Sequence, residues 1–301
     1  MPGMLLKLDL SKAFDKLSWD YMREMLLAFG FDKLWVDWIL NLTSLAFFSI
    51  LINGFPSHPF FPSRGIRQGD PISPFLFIIM VEGLSHSIHV AIASNLLIGL
   101  PPHGISPPVS HSQFVDDTLM MGTPTAREAH SLLSILQTFS KASGLDCNKD
   151  KSQIFFFNMP PLIQCHVFDI LGFNRSSLPS KYLGIPLIDN ALRKSSWEHL
   201  LFSFTKRLSS WTFRVLNLPS HLILLQAVLQ ALPIYTFSVL VAPKFVLTTI
   251  KSLQRNFLWQ GLNTRKKITL ISWDKLCQPK AQGGLGLWDP SIMNKFLSAK
   301  I

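Results

Sequence analysis

Two adjacent aspartates, Asp116-Asp117, interrupt a stretch from Gln113 to Met121 that is otherwise mostly apolar. Such a run reads as a hairpin with the carboxylates at its tip. Phe114-Val115 is expected to pack inward and anchor that tip, and Thr118 to Met121 to form the returning strand. Far upstream, Met4 to Leu10 reads as a buried strand, with Asp9 near its carboxyl end before the chain breaks at Ser11-Lys12. A strand-terminal carboxylate facing two more on a neighbouring hairpin is one of few rigid ways to hold two metal ions about 3.5–4 Å apart, as phosphoryl transfer requires. An all-oxygen set suits magnesium better than zinc. On local context alone, each aspartate serves equally well as a turn or capping residue.

The intervening sequence alternates helices and strands irregularly. Ser18 caps a helix running to Phe29 and stopped at Gly30, and Asp32 caps another that places Trp35, Trp38, Ile39 and Leu42 on one face. Phe47 to Ile52 and Phe55 to Phe61 flank Asn53-Gly54, a pair that accepts the positive φ angles of a hairpin turn. Ser73 as cap and Pro74 at the first helical position open an apolar core helix to about Ser94. An irregular Pro/His/Ser connection covers Leu100 to Ser112. A helix then spans Ala126 to Ser143, ending at Gly144, and a strand follows at Gln153 to Phe157.

From about Ser195 the pattern becomes mainly helical, near Trp197–Phe213, Leu222–Leu232 and Phe245–Trp259, with short extended pieces expected at Ile268–Ile271 and Leu285–Trp288. A domain boundary is placed near residue 190, giving units 1–190 and 191–301. With 301 residues and 48% hydrophobic content the chain can bury large cores. Its formal charge of +10 leans weakly towards a polyanionic partner. The three cysteines, Cys147, Cys165 and Cys277, are too scattered for a disulfide framework or a zinc knuckle, so a reducing compartment fits best. The N-terminus has no secretion-signal pattern. His221 to Val246 is apolar enough to be weighed as a membrane span, but Gln226, Gln230 and Pro233 interrupt it as they would a globular core helix.

Between the carboxylate positions runs Arg64-Gly65-Ile66-Arg67-Gln68-Gly69-Asp70-Pro71-Ile72-Ser73-Pro74. Its glycines let backbone approach a ligand closely, Arg64 and Arg67 can meet phosphates, and Gln68 offers both a donor and an acceptor. A plain loop-to-helix connection would need only Asp70 to Pro74.

Leu6 to Asp15, the Arg64 to Pro74 run and Phe114-Val115-Asp116-Asp117 resemble, in that order, the palm motifs of reverse transcriptases from LINE-type (non-LTR) retrotransposons. Gly144-Leu145 with Asn148 and Lys151-Ser152 resembles the next palm motif. Tyr182-Leu183-Gly184 and the residues after it resemble the primer grip. Phe257 to Gly261 and Pro279 to Gly286 resemble the post-palm region of plant elements, so the likeness covers almost the whole chain.

The resemblance implies an α+β palm, an antiparallel sheet with helices on one face, followed by a mainly helical thumb-like region. It implies an RNA-directed DNA polymerase that adds deoxynucleotides from triphosphates to a DNA primer on an RNA template, with two Mg2+ ions, or Mn2+, at Asp9, Asp116 and Asp117. Leu10, Phe14, Arg64, Arg67, Gln68 and Gly69 match nucleotide or template contacts, with Phe14 under the sugar. Lys151 matches the position that protonates the leaving pyrophosphate, and Lys149 stands close enough in sequence to be its rival. Trp259, Arg265, Lys266 and Lys267 are candidates for a nucleic-acid path. No membrane is implied, and a nuclear setting follows only from the resemblance.

In the family, basic fingers and an endonuclease precede the first palm motif. This chain begins eight residues before Asp9, so the fingers are expected to be missing. The alternative function is therefore an inactive remnant that binds nucleic acid nonspecifically. Val115 stands where the family most often has alanine, and inward packing is expected to make it tolerable.

Overall fold

The computed structural model describes residues 2–100, 108–178, 180–187, 194–211, 216–260 and 271–299. Two compact units divide at Leu178/Pro179, earlier in the chain than the expected position near 190.

The first unit is built on β1 (Gly3–Asp9), buried apart from the partly exposed Lys7 and Asp9. It lies at the middle of a five-stranded sheet of order β4-β5-β1-β6-β7, with β4 at His111–Phe114, β5 at Asp117–Gly122, β6 at Gln153–Phe157 and β7 at Asn174–Arg175. Pairing is antiparallel except between β6 and β7. Alternation along β1 turns Met4, Leu6 and Leu8 into the core, where Met120 and Ile154 join them. The opposite alternation brings Lys7 and Asp9 out on the other face.

Helices α1 (Ala13–Lys16), α2 (Trp19–Ala28), α3 (Lys33–Ser44), α4 (Ser73–Ala93), α5 (Ala126–Ser143) and α6 (Pro161–Leu171) complete this unit. Ser18 accepts the Tyr21 amide and Thr125 the Glu128 amide, as N-caps should, and Gly144 closes α5 at φ 77°. Alone among the described residues, α4 is long and apolar enough to cross a membrane. Its Leu76, Phe77, Met80, Leu84 and Ile88 are buried in the core. Tyr21 donates to the Met80 carbonyl at 2.9 Å, and burial pushes its phenol up to about 12.

In the first unit the chain departs from the expectations at α3, at the Phe114-Val115 turn and at the β2–β3 hairpin. In α3 the buried face is Val36, Ile39 and Leu40, while Trp38 and Leu42 are 57% and 71% exposed. Phe114 and Val115 do not pack inward: they are 59% and 37% exposed, and Val115 adopts φ 55° to make the turn. The β2–β3 hairpin forms around Asn53-Gly54 as expected, but its strands are only Leu51–Ile52 and Phe55–Pro56, shorter than the expected Phe47–Ile52 and Phe55–Phe61, and both are exposed.

The second unit holds the β8–β9 hairpin (Ser180–Tyr182, Ile185–Leu187) and helices α7 (Glu198–Ser210), α8 (Leu218–Leu224), α9 (Ile234–Phe237), α10 (Lys244–Gln260), α11 (Trp273–Leu276) and α12 (Pro290–Ser298). Its own core gathers Trp197, Phe204, Leu225, Phe237, Ile250 and Phe257. The His221–Val246 stretch is no single span: α8 passes into a π-turn at Leu225–Leu229, and Pro233 separates that from α9. Leu285–Trp288 is irregular chain, not a strand. Arg265, Lys266, Lys267 and the expected strand up to residue 270 lie outside the described residues.

Candidate active site

The register of the sheet brings the far-apart aspartates together, with Asp9 directly opposite Asp117 on β5, their side chains on one face. Asp116 precedes β5, in the turn, and so reaches a cleft of about 820 Å³ that Asp9 also lines. Leu10, Phe14, Gln68, Gly69, Asn148 and Lys151 line the same cleft. Burial raises the Asp117 carboxyl above its ordinary value. Lys7 opposes this, and the charges of Asp116 and Asp9 add to it.

After Asp9 the chain turns through Lys12 at φ 50° into the single-turn α1. Phe14 stacks on Phe77 of α4, with ring centroids 5.0 Å apart, which fixes the cleft floor. The motif loop is tied beneath it main chain to main chain: the Gly65 amide donates to the Leu17 carbonyl and the Ile66 amide to the Phe14 carbonyl, both at 2.7 Å. Trp19 Nε1 donates to the Gly65 carbonyl at 2.7 Å. Gly65 has φ 89°, and a Cβ there would lie 2.6 Å from the Asp15 carbonyl oxygen, so only glycine fits. The loop thereby carries Gln68 to the cleft, where its Nε2 donates to Asp15 Oδ1 at 3.4 Å.

Sequence reasoning missed the support behind Asp9. The Asp9 amide donates to Ser152 Oγ at 3.2 Å, the Asn148 amide donates to the Asp9 carbonyl at 2.8 Å, and the Ser152 amide donates to the Asn148 carbonyl at 2.8 Å. Leu10 pairs with Cys147, whose thiol burial pushes up to about 11. This Asn148–Ser152 turn clasps the backbone of Asp9 on both sides and holds Lys151 Nζ 3.9 Å from Asp9 Oδ2. Lys149 does not line the cleft; its carbonyl accepts from Asn174.

Not every expected residue falls here. Arg64 and Arg67 line an adjoining cavity, with Gln68 common to both spaces. Tyr182, Leu183 and Gly184 form the tip of β8–β9 in the second unit, where the Tyr235 hydroxyl donates to the Leu183 carbonyl at 2.5 Å. As a donor set, hard carboxylate oxygens amid clustered negative charge suit a divalent cation. The set is not closed, because among the described residues no three Asp, Glu, His or Cys side chains converge on one ion position. Asp9 and Asp116 share the cleft; Asp117 does not line it.

A central antiparallel sheet that presents carboxylates from a strand end and a hairpin turn, backed by helices, is the palm of a template-directed polymerase. The profile of the reverse transcriptase (RNA-dependent DNA polymerase) family matches residues 2–187, and the chain belongs to that family. It is 28% identical over 198 residues to the Pol polyprotein of the Drosophila melanogaster type-2 element R2DM, covering 66% of this chain and 17% of that one. An Arabidopsis thaliana protein named for ribonuclease H is 32% identical over 117 residues, 39% of this chain and 19% of that one. The chain thus spans less than a fifth of either relative. The R2 match is to a protein of a retrotransposable element. In fold it is similar to Candida albicans telomerase, solved with a fragment of telomeric RNA, at TM-score 0.52 and 12% identity over 83% of this chain and 46% of that one.

Proposed function

We propose that the cleft catalyses addition of deoxynucleotides to a primer 3′-hydroxyl on an RNA template. The observation that carries this is the meeting of Asp9 and Asp116 with Phe14, Gln68, Gly69 and Lys151 in one cleft. Asp9 and Asp116, with Asp117 completing the charge set, would hold two Mg2+ ions, or Mn2+, which when bound neutralise phosphate charge and favour ionisation of the attacking hydroxyl.

The protein's own groups do the rest. Gln68 and Gly69 present polar and unshielded backbone groups to the nucleotide and its template partner. Phe14, held flat by Phe77, lies under the sugar, where its ring leaves no room for a 2′-hydroxyl. Leu10 contributes backbone beside Asp9. Lys151, kept within ion-pair range of Asp9 by the clasp, donates a proton to the departing pyrophosphate oxygen. Arg64 and Arg67 meet phosphates by charge-assisted hydrogen bonds. The tip at Tyr182-Leu183-Gly184 grips the primer backbone, and the mainly helical second unit acts as the thumb.

The deciding assay is primer extension on RNA with Mg2+, comparing the chain with an Asp116→Ala, Asp117→Ala variant. Extension by the parent and its loss, by at least about 100-fold, in the variant supports the reading. Equal incorporation by both, including none, removes it.

A further inference from the structure

The second unit holds a cavity of its own, of about 300 Å³, at the small end of the range of about 300–1,000 Å³ over which proteins take up ligands. Ile234 of α9, Trp288 just ahead of α12, and Met293 and Phe296 of α12 give it apolar walls. Among the described residues that line it, none carries a charge. Its two polar groups, Gln226 and Gln230, come from the π-turn and the residue that closes it, where the Gln230 amide donates to the Leu225 carbonyl at 2.9 Å. Isolated turns of this kind recur at functional sites. Both side chains are oriented by main chain: Gln226 Nε2 donates to the Leu285 carbonyl at 3.0 Å and Gln230 Nε2 to the Trp288 carbonyl at 3.4 Å.

Pinned through nitrogen, each side-chain amide keeps its oxygen uncommitted, and neither oxygen accepts a hydrogen bond among the described residues. Gln230 is only 6% exposed. A buried acceptor with no donor is costly, and a ligand that supplies the donor removes that cost. The chemistry of such a ligand follows from the lining. An uncharged, apolar hollow disfavours an ion, its volume admits one ring or two fused rings, and the half-exposed indole of Trp288 offers a face to stack on. We infer that this cavity binds a compact, neutral aromatic molecule bearing an N–H donor, which Gln230 accepts with Gln226 beside it. The site is separate from the polymerase cleft in its residues and in its chemistry, since it recognises neither phosphate nor metal.

Ligand-observed NMR titration of the full chain with indole and with 1-methylindole, the same rings with the donor blocked, tests the inference. Indole should bind about tenfold more tightly than its methylated form. Gln230→Met, which keeps the length of the side chain and removes the acceptor, should erase that difference while 1-methylindole binds as it does to the parent, a sign that the cavity is intact. Gln226→Met, at a less buried position, should narrow the difference in the same direction and carries the test if Gln230→Met does not fold. Ala231→Phe, which fills the cavity from an exposed part of its lining, should abolish binding of both rings. No binding of indole, equal affinity for the two rings, methionine variants that keep the full preference, or an Ala231→Phe protein that binds as the parent does would overturn the inference.

Discussion

Ser152 holds the amide of Asp9 from a point 143 residues away in the chain. Its Ala replacement strands a buried donor, worth about 1–3 kcal/mol, beside the carboxylate that the mechanism depends on. Ser152→Ala should therefore lower the denaturation midpoint and reduce turnover more than nucleotide affinity, and Ser152→Thr, which restores the oxygen, should recover both. A turnover unaffected by the alanine would show that Asp9 needs no such support. Asp117 makes a prediction of opposite sign. Its folded value lies above the ordinary 3.8 because of burial, with Asp116 and Asp9 adding to the effect. The native state thus takes up this proton more readily than the unfolded chain, and the associated stability is present below pH 3.8 and lost as pH rises through the folded value. Without added metal, Asp117→Asn should melt above the parent at neutral pH, and the gap should close on acidification. Thermal melts across pH 3 to 7 check this; a constant gap rules it out. Val115, by contrast, carries strain of about 1–2 kcal/mol as a β-branched residue in the left-handed region, which its exposed position does nothing to offset.

Among the elements, those with local signals were legible. Ser18 marked the start of α2 and Gly144 the end of α5, and the apolar run of β1 marked a buried strand. The inner face of α3 was not, since an element apolar on several sides does not state which side meets its neighbours. Helix α6 was not anticipated, although Pro161 stands at its first position, where a proline begins a helix. In the site, Asp9, Asp116 and Gln68 were legible through their motifs. Asn148 and Ser152 were legible as part of a motif, but their hold on the Asp9 backbone was not, because a hydrogen bond between remote segments leaves no pattern in either. The glycine at the foot of the motif loop is the element-scale test. Gly65→Ala must both leave φ 89° and move the Asp15 carbonyl, a loss of about 2 kcal/mol or more. Circular dichroism melts should register it, together with weakened nucleotide binding as Gln68 shifts. A wild-type melt would mean that the loop is not tied as described.

The whole chain has two separate cores, one around Phe77 and Leu84 and one around Phe204 and Phe257. Unfolding should not be a single transition. Phe77→Ala and Phe204→Ala should each lower a different step, by about 3–5 kcal/mol, resolvable by calorimetry; if both shift the same step, the units unfold as one. The joints between Gly65-Ile66 and the Phe14–Leu17 turn run from amide to carbonyl, and an amide reads the same whatever side chain its residue bears. Under the role proposed for Phe14, a lineage can exchange that ring, and with it the breadth of sugars admitted, while the loop carrying Gln68 keeps its anchorage. Substrate range and scaffold are thus inherited separately, and drift in the first leaves the second intact.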